Sequence, residues 1–351
     1  MNKFDKWSVL AGVRFLLAAV VAIKHLDDYV ALGWMRFVAG FGPFEAICGF
    51  LLISGYSICT SYAQHPEGFF RRRLARLYPI YLGAIALTYL TFLVLKVAPP
   101  GIFTIVINAL FLNQLVTTTS VVGPAWTLSL EFWLYCTIPF LIVLSQRQMR
   151  LIVFGSFAAY VAYTISRTLF HMPFYSGVGY GANLVFLSFI WVAGVRLARA
   201  GKEDKTAMRD IALIFGGQLL LAATIQFGFR MKHHALGSYF GSDVWSYAQE
   251  ALTLLFVYYV FQRWVITKDQ GRKRSRLLRW LGDISYPLYL MHGAVYALLA
   301  HWGVESPVLI FAAAVAVSAA SYWLLDFYSQ KRLRAGAQIP PIAPLPEAAG
   351  S

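Results

Sequence analysis

The chain has 351 residues, of which 59% are hydrophobic and only 13% are charged. Because soluble domains carry about a quarter charged residues, this composition excludes an ordinary soluble enzyme and indicates an all-α, polytopic membrane protein. The formal net charge of +14 would suit a nucleic-acid partner in a soluble protein. Here the basic residues stand in short loops between apolar segments, where they set membrane topology, so we expect no nucleic-acid binding.

Ten apolar segments of spanning or near-spanning length follow one another along the chain. They cover residues 7–29, 37–62, 74–97, 124–144, 151–170, 181–199, 209–229, 247–266, 281–300 and 305–328. An eleventh apolar segment, 102–116, is shorter and is interrupted by Asn108, Asn113 and Gln114. We predict that it re-enters the membrane or lies on its outer surface, because counting it as a span would move the most basic loops outside, against the positive-inside rule.

This count predicts a transmembrane helical bundle of ten spans with both termini in the cytoplasm. The membrane domain would cover residues 1–334. The segment 335–351 is rich in Pro and Ala and poor in bulky apolar residues, so we predict a disordered cytoplasmic tail there.

The first span carries ionisable groups where hydrocarbon does not favour them: Arg14 in its middle, and Lys24 and His25 near its end. A charge near the bilayer centre costs roughly 2.5 to 3.5 kcal/mol on insertion scales, so such residues are functional candidates by default. Arg14 and His25 are eleven residues apart, which puts them on one helix face but roughly 16 Å apart along it. The alternative is that Arg14 pairs with a structural carboxylate and that His25 lies at the membrane interface.

Arginines introduce the third span, in the stretch HPEGFFRRRLARLYPIYL. Arg73 and Arg76 are three residues apart and therefore share one helix face, where two planar guanidinium groups could bind a phosphate. A plain positive-inside anchor is the simpler interpretation of these residues taken alone, and Arg71 and Arg72 fit that role well.

The fourth span begins GPAWTLSLEFWLYCTIPF and buries Glu131. In the predicted topology Glu131 lies at a depth comparable to that of His25, so its carboxylate could orient the imidazole of a general base. Glu131 could equally balance Arg14 or another cation.

The ninth span, LGDISYPLYLMHGAVYALL, carries a polar residue at every third position: Asp283, Tyr286, Tyr289 and His292. This stripe predicts the lining of a cavity, although polar side chains satisfied by neighbouring helices would give the same pattern. Asp326, near the end of the tenth span, is interpreted most simply as a partner for the basic residues that follow it.

Taken together, these residues resemble acyltransferase family three, the integral membrane O-acyltransferases that acylate bacterial sugars and related surface molecules. The resemblance covers nearly the whole chain. It rests on Arg14 and His25 in the first span, ISGYSI in the second, the Arg73/Arg76 pair in RRRLARLYPIYL, PAWTLSLEFWLY around Glu131, and LGDISYPLYLMH near the C-terminus. The sequence departs from the family pattern at Asp326, which stands where many members have Glu before Pro, and at Cys48, where an acidic residue is common.

The resemblance implies an acyl-coenzyme A donor, usually acetyl-coenzyme A, and a hydroxyl acceptor on a saccharide or lipid-linked glycan such as exopolysaccharide or O-antigen. It implies His25 as the catalytic base, Arg14 as its family partner, Arg73 and Arg76 as the donor-binding pair, and Glu131 as part of the site. We assign Tyr286 and His292 to substrate binding. The expected location is the inner membrane of a bacterium, as a multi-pass protein.

Neither a metal nor a resident cofactor is expected, since acyl-coenzyme A is a substrate. The main alternative is a transporter or flippase for a glycan or anionic solute, in which the same intramembrane charges would line a pathway.

Overall fold

The computed structural model describes residues 4–200, 205–266 and 272–327. The predicted tail and the side chain of Asp326 lie outside this description. Within it, the chain is helical, and the β-structure consists of two isolated bridges, Phe4 with Lys273 and Asn113 with Thr117. The prediction of an all-α fold is confirmed.

Eleven helices of eight or more residues are described, and we number them in chain order. They are α1 Lys6–Leu26, α2 Pro43–Gln64, α3 Phe69–Val94, α4 Ile102–Ala109, α5 Ala125–Leu141, α6 Gln146–Phe170, α7 Ala182–Arg199, α8 Thr206–Lys232, α9 Val244–Val260, α10 Arg276–His301 and α11 Pro307–Ser321. Shorter pieces join or extend them, namely Gly33–Met35, Arg36–Ala39, Tyr175–Gly177, Leu236–Ser238, Tyr239–Asp243, Phe261–Val265 and Tyr322–Phe327.

Each of the ten predicted spans contains one long helix of the structure. Seven of the described helices are long and apolar enough to cross a membrane by themselves, and they are α1, α2, α3, α6, α7, α8 and the segment Pro307–Leu325 that begins with α11. The protein is therefore a multi-pass helical membrane bundle. The count of ten spans and the cytoplasmic position of the termini remain predictions.

The segment predicted not to span contains only the eight-residue helix α4, about 12 Å long. A bilayer core of about 30 Å needs roughly 20 helical residues, so α4 cannot cross it. Asn108, Asn113 and Gln114 of this segment are buried, and each of them donates a hydrogen bond to a backbone carbonyl oxygen. Asn108 donates to the carbonyl oxygens of Thr104 and Thr119, and Asn183 of α7 donates to Gln114 at 2.8 Å.

Close helix crossings hold the centre of the bundle together. Gly55 of α2 lies against the backbone of Trp191 in α7, and Gly194 of α7 lies against the backbone of Leu52 in α2. A Cβ atom at either glycine would overlap the neighbouring backbone, and small residues are what membrane helices use to approach closely.

Helices α1 and α10 pack along much of their length, although about 270 residues separate them in the chain. Gly282 of α10 lies directly against Ala11 of α1. At the helix starts, Arg279 forms an ion pair with Asp5 at 3.2 Å, and the Asp5 backbone N–H donates to the carbonyl of Lys273 at 3.0 Å. This packing also brings His25, near the end of α1, beside His292 in the second half of α10.

Candidate active site

The described helices enclose two neighbouring pockets that contain the candidate site residues, and the first of these is rich in arginine. We call it the arginine pocket; it encloses about 980 Å³, its open mouth included. Its charged lining residues are Arg14 of α1, Arg73 and Arg76 of α3, and Glu131 of α5. Hydroxyl groups complete its polar lining, from Ser54, Ser57, Thr127, Tyr135, Ser285, Tyr286 and Tyr289.

The second pocket, which we call the histidine pocket, contains His25 and His292. It is larger, about 1840 Å³ with its mouth included. Aromatic rings form much of its wall, and they belong to Tyr29, Phe44, Phe92, Trp126, Phe174 and Tyr289. Asp28, Thr88, Thr91 and Ser176 add polar groups, and no Lys or Arg is among the described residues that line it.

The two pockets meet at Tyr289 and Ile47, which line both. The Tyr289 hydroxyl lies 2.7 Å from the Thr127 hydroxyl, which itself donates to the Pro124 carbonyl at 3.1 Å. Because the Thr127 hydroxyl hydrogen is used in the bond to Pro124, the Thr127 oxygen accepts a hydrogen bond from the Tyr289 hydroxyl. The Phe50 ring packs on the Tyr289 ring with centroids 5.7 Å apart. Tyr289 therefore stands between the two spaces, held in one orientation.

His25 and His292 are hydrogen bonded to each other, with 2.9 Å between His25 Nδ1 and His292 Nε2. The other nitrogen of His292, Nδ1, lies 2.8 Å from the carbonyl oxygen of Leu288. A carbonyl oxygen can only accept, so His292 Nδ1 carries a proton and, in neutral His292, Nε2 accepts. His25 Nδ1 then donates to His292, which leaves the lone pair of neutral His25 on Nε2. Both histidines line the pocket, but His292 is fully buried whereas His25 is only partly buried.

Glu131 does not lie beside His25, so the expected pairing of a carboxylate with the imidazole is wrong. Glu131 lines the arginine pocket, where it accepts a hydrogen bond from Tyr135 at 3.2 Å and is acted on by the charges of Arg14 and Arg73. A buried carboxylate needs cations and donor groups to offset its lost hydration, and this pocket supplies them. The alternative prediction, that Glu131 balances Arg14, agrees with this environment.

The three arginines of the arginine pocket are only partly neutralised. Arg14 donates to the Ser57 hydroxyl at 2.8 Å, and Arg76 lies 3.5 Å from Asp283, which also accepts from Tyr322. The Arg73 guanidinium lies 5.5 Å from the centroid of the Phe69 ring. Arg73 and Arg76 are partly buried, whereas Arg71 and Arg72 are exposed. The pocket therefore carries a net positive charge and suits an anion.

The polar stripe of α10 lines the two pockets in succession. Tyr286 lines the arginine pocket and donates to the Leu77 carbonyl at 3.1 Å; Tyr289 lines both pockets; His292 lines the histidine pocket. The prediction that this stripe lines a cavity is confirmed for these three residues. Asp283 reaches Arg76 instead.

Sequence reasoning did not identify Asp28 and Thr127 as pocket residues. Asp28 follows the end of α1 by two positions, and Thr127 lies in the first turn of α5. In the sequence, the only indication of their role is that Asp28 lies close to His25 along the chain and Thr127 lies close to Glu131. In the described part of the chain, no group of three or more His, Cys, Asp or Glu side chains is gathered as for a metal ion.

Comparison with known proteins gives two matches and one absence. The family model described as an acyltransferase domain matches residues 10–326. A protein of Acidianus two-tailed virus named "Putative acetyltransferase ORF330" is 22% identical over 311 residues, which cover 84% of this chain and 85% of the viral protein. No solved structure matches the chain. Because the family match covers nearly the whole chain, this protein belongs to acyltransferase family three and is a membrane-embedded acyltransferase.

Proposed function

We propose that the protein transfers an acyl group, acetyl in the simplest case, from acyl-coenzyme A to a hydroxyl group of a saccharide or lipid-linked glycan, in the inner membrane of a bacterium. The observation that carries this proposal is the pair of adjacent pockets, one positively charged and the other lined by His25, whose Nδ1 is hydrogen bonded to His292. A donor in one pocket and an acceptor in the other would meet near Tyr289.

The arginine pocket suits the phosphates of coenzyme A. Planar guanidinium groups bind phosphate oxygens in pairs, and Arg73 and Arg76 project into the same pocket from successive turns of α3. Glu131 keeps the cluster from carrying three uncompensated charges in a low-dielectric interior. By the distribution of basic loops, this pocket faces the cytoplasm, where acyl-coenzyme A is made.

Arg14 fits a role in the passage of the donor better than a direct role with His25. It lines the arginine pocket, whereas His25 lines the histidine pocket. The pantetheine arm would pass Arg14 and Tyr286 and bring the thioester to the junction at Tyr289. Arg14 is then a binding residue for the donor.

His25 is the general base in this proposal. Its Nε2 removes the proton of the acceptor hydroxyl as the hydroxyl oxygen attacks the thioester carbonyl and forms the new C–O bond. The C–S bond of the thioester then breaks. The proton then passes from Nε2 to the leaving sulfur, so the products are an ester and free coenzyme A. A positioned base contributes roughly 10²- to 10⁴-fold.

His292 has the role that the sequence had suggested for Glu131, namely the hydrogen-bond partner of the His25 imidazole. It accepts a hydrogen bond from His25 Nδ1, and this bond fixes the orientation and the tautomer of the His25 ring. When His25 becomes protonated during transfer, the same bond becomes charge-assisted and therefore stronger. His292 is thus proposed as a positioning residue rather than as a residue that binds substrate.

The test is the ester content of surface glycans, measured by mass spectrometry in a strain that lacks the protein. The strain is complemented with wild type, His25→Ala, Arg73→Ala or one of two matched controls, His301→Ala and Arg71→Ala, at equal membrane abundance. His301 is exposed at the end of α10, and Arg71 is exposed at the start of α3. Neither of them lines a pocket.

We expect ester groups to be lost in the deletion strain and in the His25 and Arg73 variants, and to return with wild type and both controls. The mass difference then names the acyl group. If acylation survives His25→Ala while the amount of exported glycan falls, the base assignment is wrong and transport of the glycan takes its place.

A further inference from the structure

The charged lining of the histidine pocket differs in sign from that of the arginine pocket. Among the described residues that line it, Asp28 is the only one with a fixed charge, and that charge is negative. Arg167 stacks on the Phe174 ring of its wall at 5.3 Å but does not itself line the pocket.

Asp28 is also distinguished from its neighbour Asp27. Asp27 forms ion pairs with Lys24 at 3.3 Å and with Arg36 at 3.4 Å, so its charge is compensated by this chain. In the described part of the chain, Asp28 forms no ion pair, and this exposed residue lines the pocket that contains His25.

We propose that the histidine pocket accepts a sugar residue that carries no negative charge, and that the Asp28 carboxylate binds hydrogen-bond donors of that residue, either hydroxyl or amino groups. This inference rests on the function proposed above and names the substrate class of the same site. Asp28 is then a residue that determines acceptor specificity.

The chemistry of a carboxylate explains this choice. An ionised carboxylate only accepts hydrogen bonds, and its two oxygens can take donors from two adjacent hydroxyl groups or from an ammonium group. The aromatic wall, which includes Trp126 and Phe44, can cover the apolar C–H faces of a sugar ring. The three hydroxyl residues Thr88, Thr91 and Ser176 leave further partners for polar substituents.

Exclusion of acidic sugars follows from the same lining. A uronic acid or a phosphorylated sugar would bring a second negative charge to Asp28 with no lining Lys or Arg to offset it, and like charges brought together disfavour the wrong partner. The arginine pocket, by contrast, is lined by three guanidinium groups and one carboxylate, and such a lining suits an anionic ligand.

The test uses the full-length protein in membranes and two variants, Asp28→Asn and Asp27→Asn. Asparagine keeps the shape of the side chain and removes the charge, and Asp27 supplies the matched control because it is adjacent, paired and absent from the pocket lining. The acceptor is the unesterified glycan purified from the deletion strain, and the position of the restored ester is mapped by mass spectrometry and NMR.

We expect the ester on a neutral or amino sugar, a rise of at least tenfold in the KM for the glycan in Asp28→Asn with kcat within threefold of wild type, and values within twofold of wild type in Asp27→Asn. A fall in kcat with an unchanged KM for the glycan would mean that Asp28 acts through His25 and would overturn the specificity role.

An ester on a uronic acid or a phosphorylated sugar would also overturn the inference, as would an Asp28→Asn variant that behaves like Asp27→Asn. These results are distinct from failure of the proposed function, in which the deletion strain loses no ester at all.

Discussion

The arginine pocket and the histidine pocket are neighbours that share Tyr289, yet they are built on opposite electrostatic principles. Three arginines and one carboxylate line the first, whereas the second has a hydrogen-bonded pair of histidines, a carboxylate and aromatic walls. The first suits a ligand that brings its own negative charge. The second suits a hydroxyl group that must lose a proton.

The difference explains why Glu131 and His25 are kept apart. A carboxylate among arginines lowers the cost of holding several cations in the membrane interior. A cation-rich environment around His25 would oppose protonation of its ring and so weaken it as a base. Separation of the charges into two pockets lets each group work in the environment that favours it.

Helix α10 links the two environments. Tyr286, Tyr289 and His292 follow one another along its face, so one helix lines the arginine pocket, the junction and the histidine pocket. In the proposed mechanism this helix would align the donor with the acceptor, which suits transfer between two bound reactants.

Loss of His25 should have the largest effect on acyl transfer of the variants considered. His25→Ala removes the base from the histidine pocket and leaves the arginine pocket intact, so kcat should fall roughly 10²- to 10⁴-fold while the affinity for acyl-coenzyme A is kept. Transfer is measured with radiolabelled acetyl-coenzyme A and the unesterified glycan, and donor binding is measured separately by equilibrium dialysis. His301→Ala is the control, and equal losses of donor affinity and kcat would contradict the separation of roles.

Substitution of Arg73 tests the proposed donor binding in the arginine pocket. A hydrogen bond to a charged group contributes about 1.5 to 3 kcal/mol, so Arg73→Ala should raise the donor KM by roughly 10- to 150-fold with a much smaller effect on kcat. Arg73→Lys should recover only part of the loss, because lysine keeps the charge but not the planar fork.

Arg71→Ala supplies the control for the arginine pocket because Arg71 is exposed at the same helix start and does not line the pocket. We expect its donor KM to match wild type. If Arg71→Ala and Arg73→Ala have the same effect, the arginines of this segment serve only as a membrane anchor.

Replacement of His292 tests the hydrogen bond that orients His25 inside the histidine pocket. His292→Leu removes the acceptor of the His25 Nδ1 proton and should lower kcat about tenfold, since an unpaired buried donor costs at least about 1 kcal/mol. His292→Asn offers a carbonyl oxygen in its place and should retain more activity than His292→Leu at equal membrane abundance. The donor KM should stay unchanged in both variants, and a rise in it would return His292 to substrate binding.

Much of the fold could be predicted because the membrane imposes simple rules on the sequence. Apolar segments of about 20 residues locate the long helices, and the polar interruptions at Asn108 and Asn113 correctly indicate that segment 102–116 forms no spanning helix. The period of three in α10 correctly predicts a cavity lining, because residues three apart share a helix face.

The partner of His25 could not be predicted in the same way. His25 and His292 are 267 positions apart, and only the packing of α1 on α10 brings them together. Glu131 has the chemistry of a partner for an imidazole, but composition does not report which helix face meets which. The angular position of α5 puts its carboxylate among the arginines instead.

A change outside both pockets should have the smallest effect and should spare both of them. Burial raises the pKa of Asp5, but hydrogen bonds from Ser8 and the charge of Arg279 outweigh it and leave the pKa below its usual value. The ionised carboxylate therefore stabilises the fold above the unfolded pKa of about 3.9, and this stabilisation is lost as the pH falls through the lower folded value. Asp5→Asn should lower the melting temperature of the detergent-solubilised protein by a few degrees near pH 7, with a difference from wild type that shrinks below about pH 4.

Transfer activity and donor KM of Asp5→Asn at 25 °C should stay within twofold of wild type, because the ion pair joins the starts of α1 and α10 and does not line either pocket. A large loss of kcat with an unchanged melting temperature would instead show that this end of the helix pair takes part in the site.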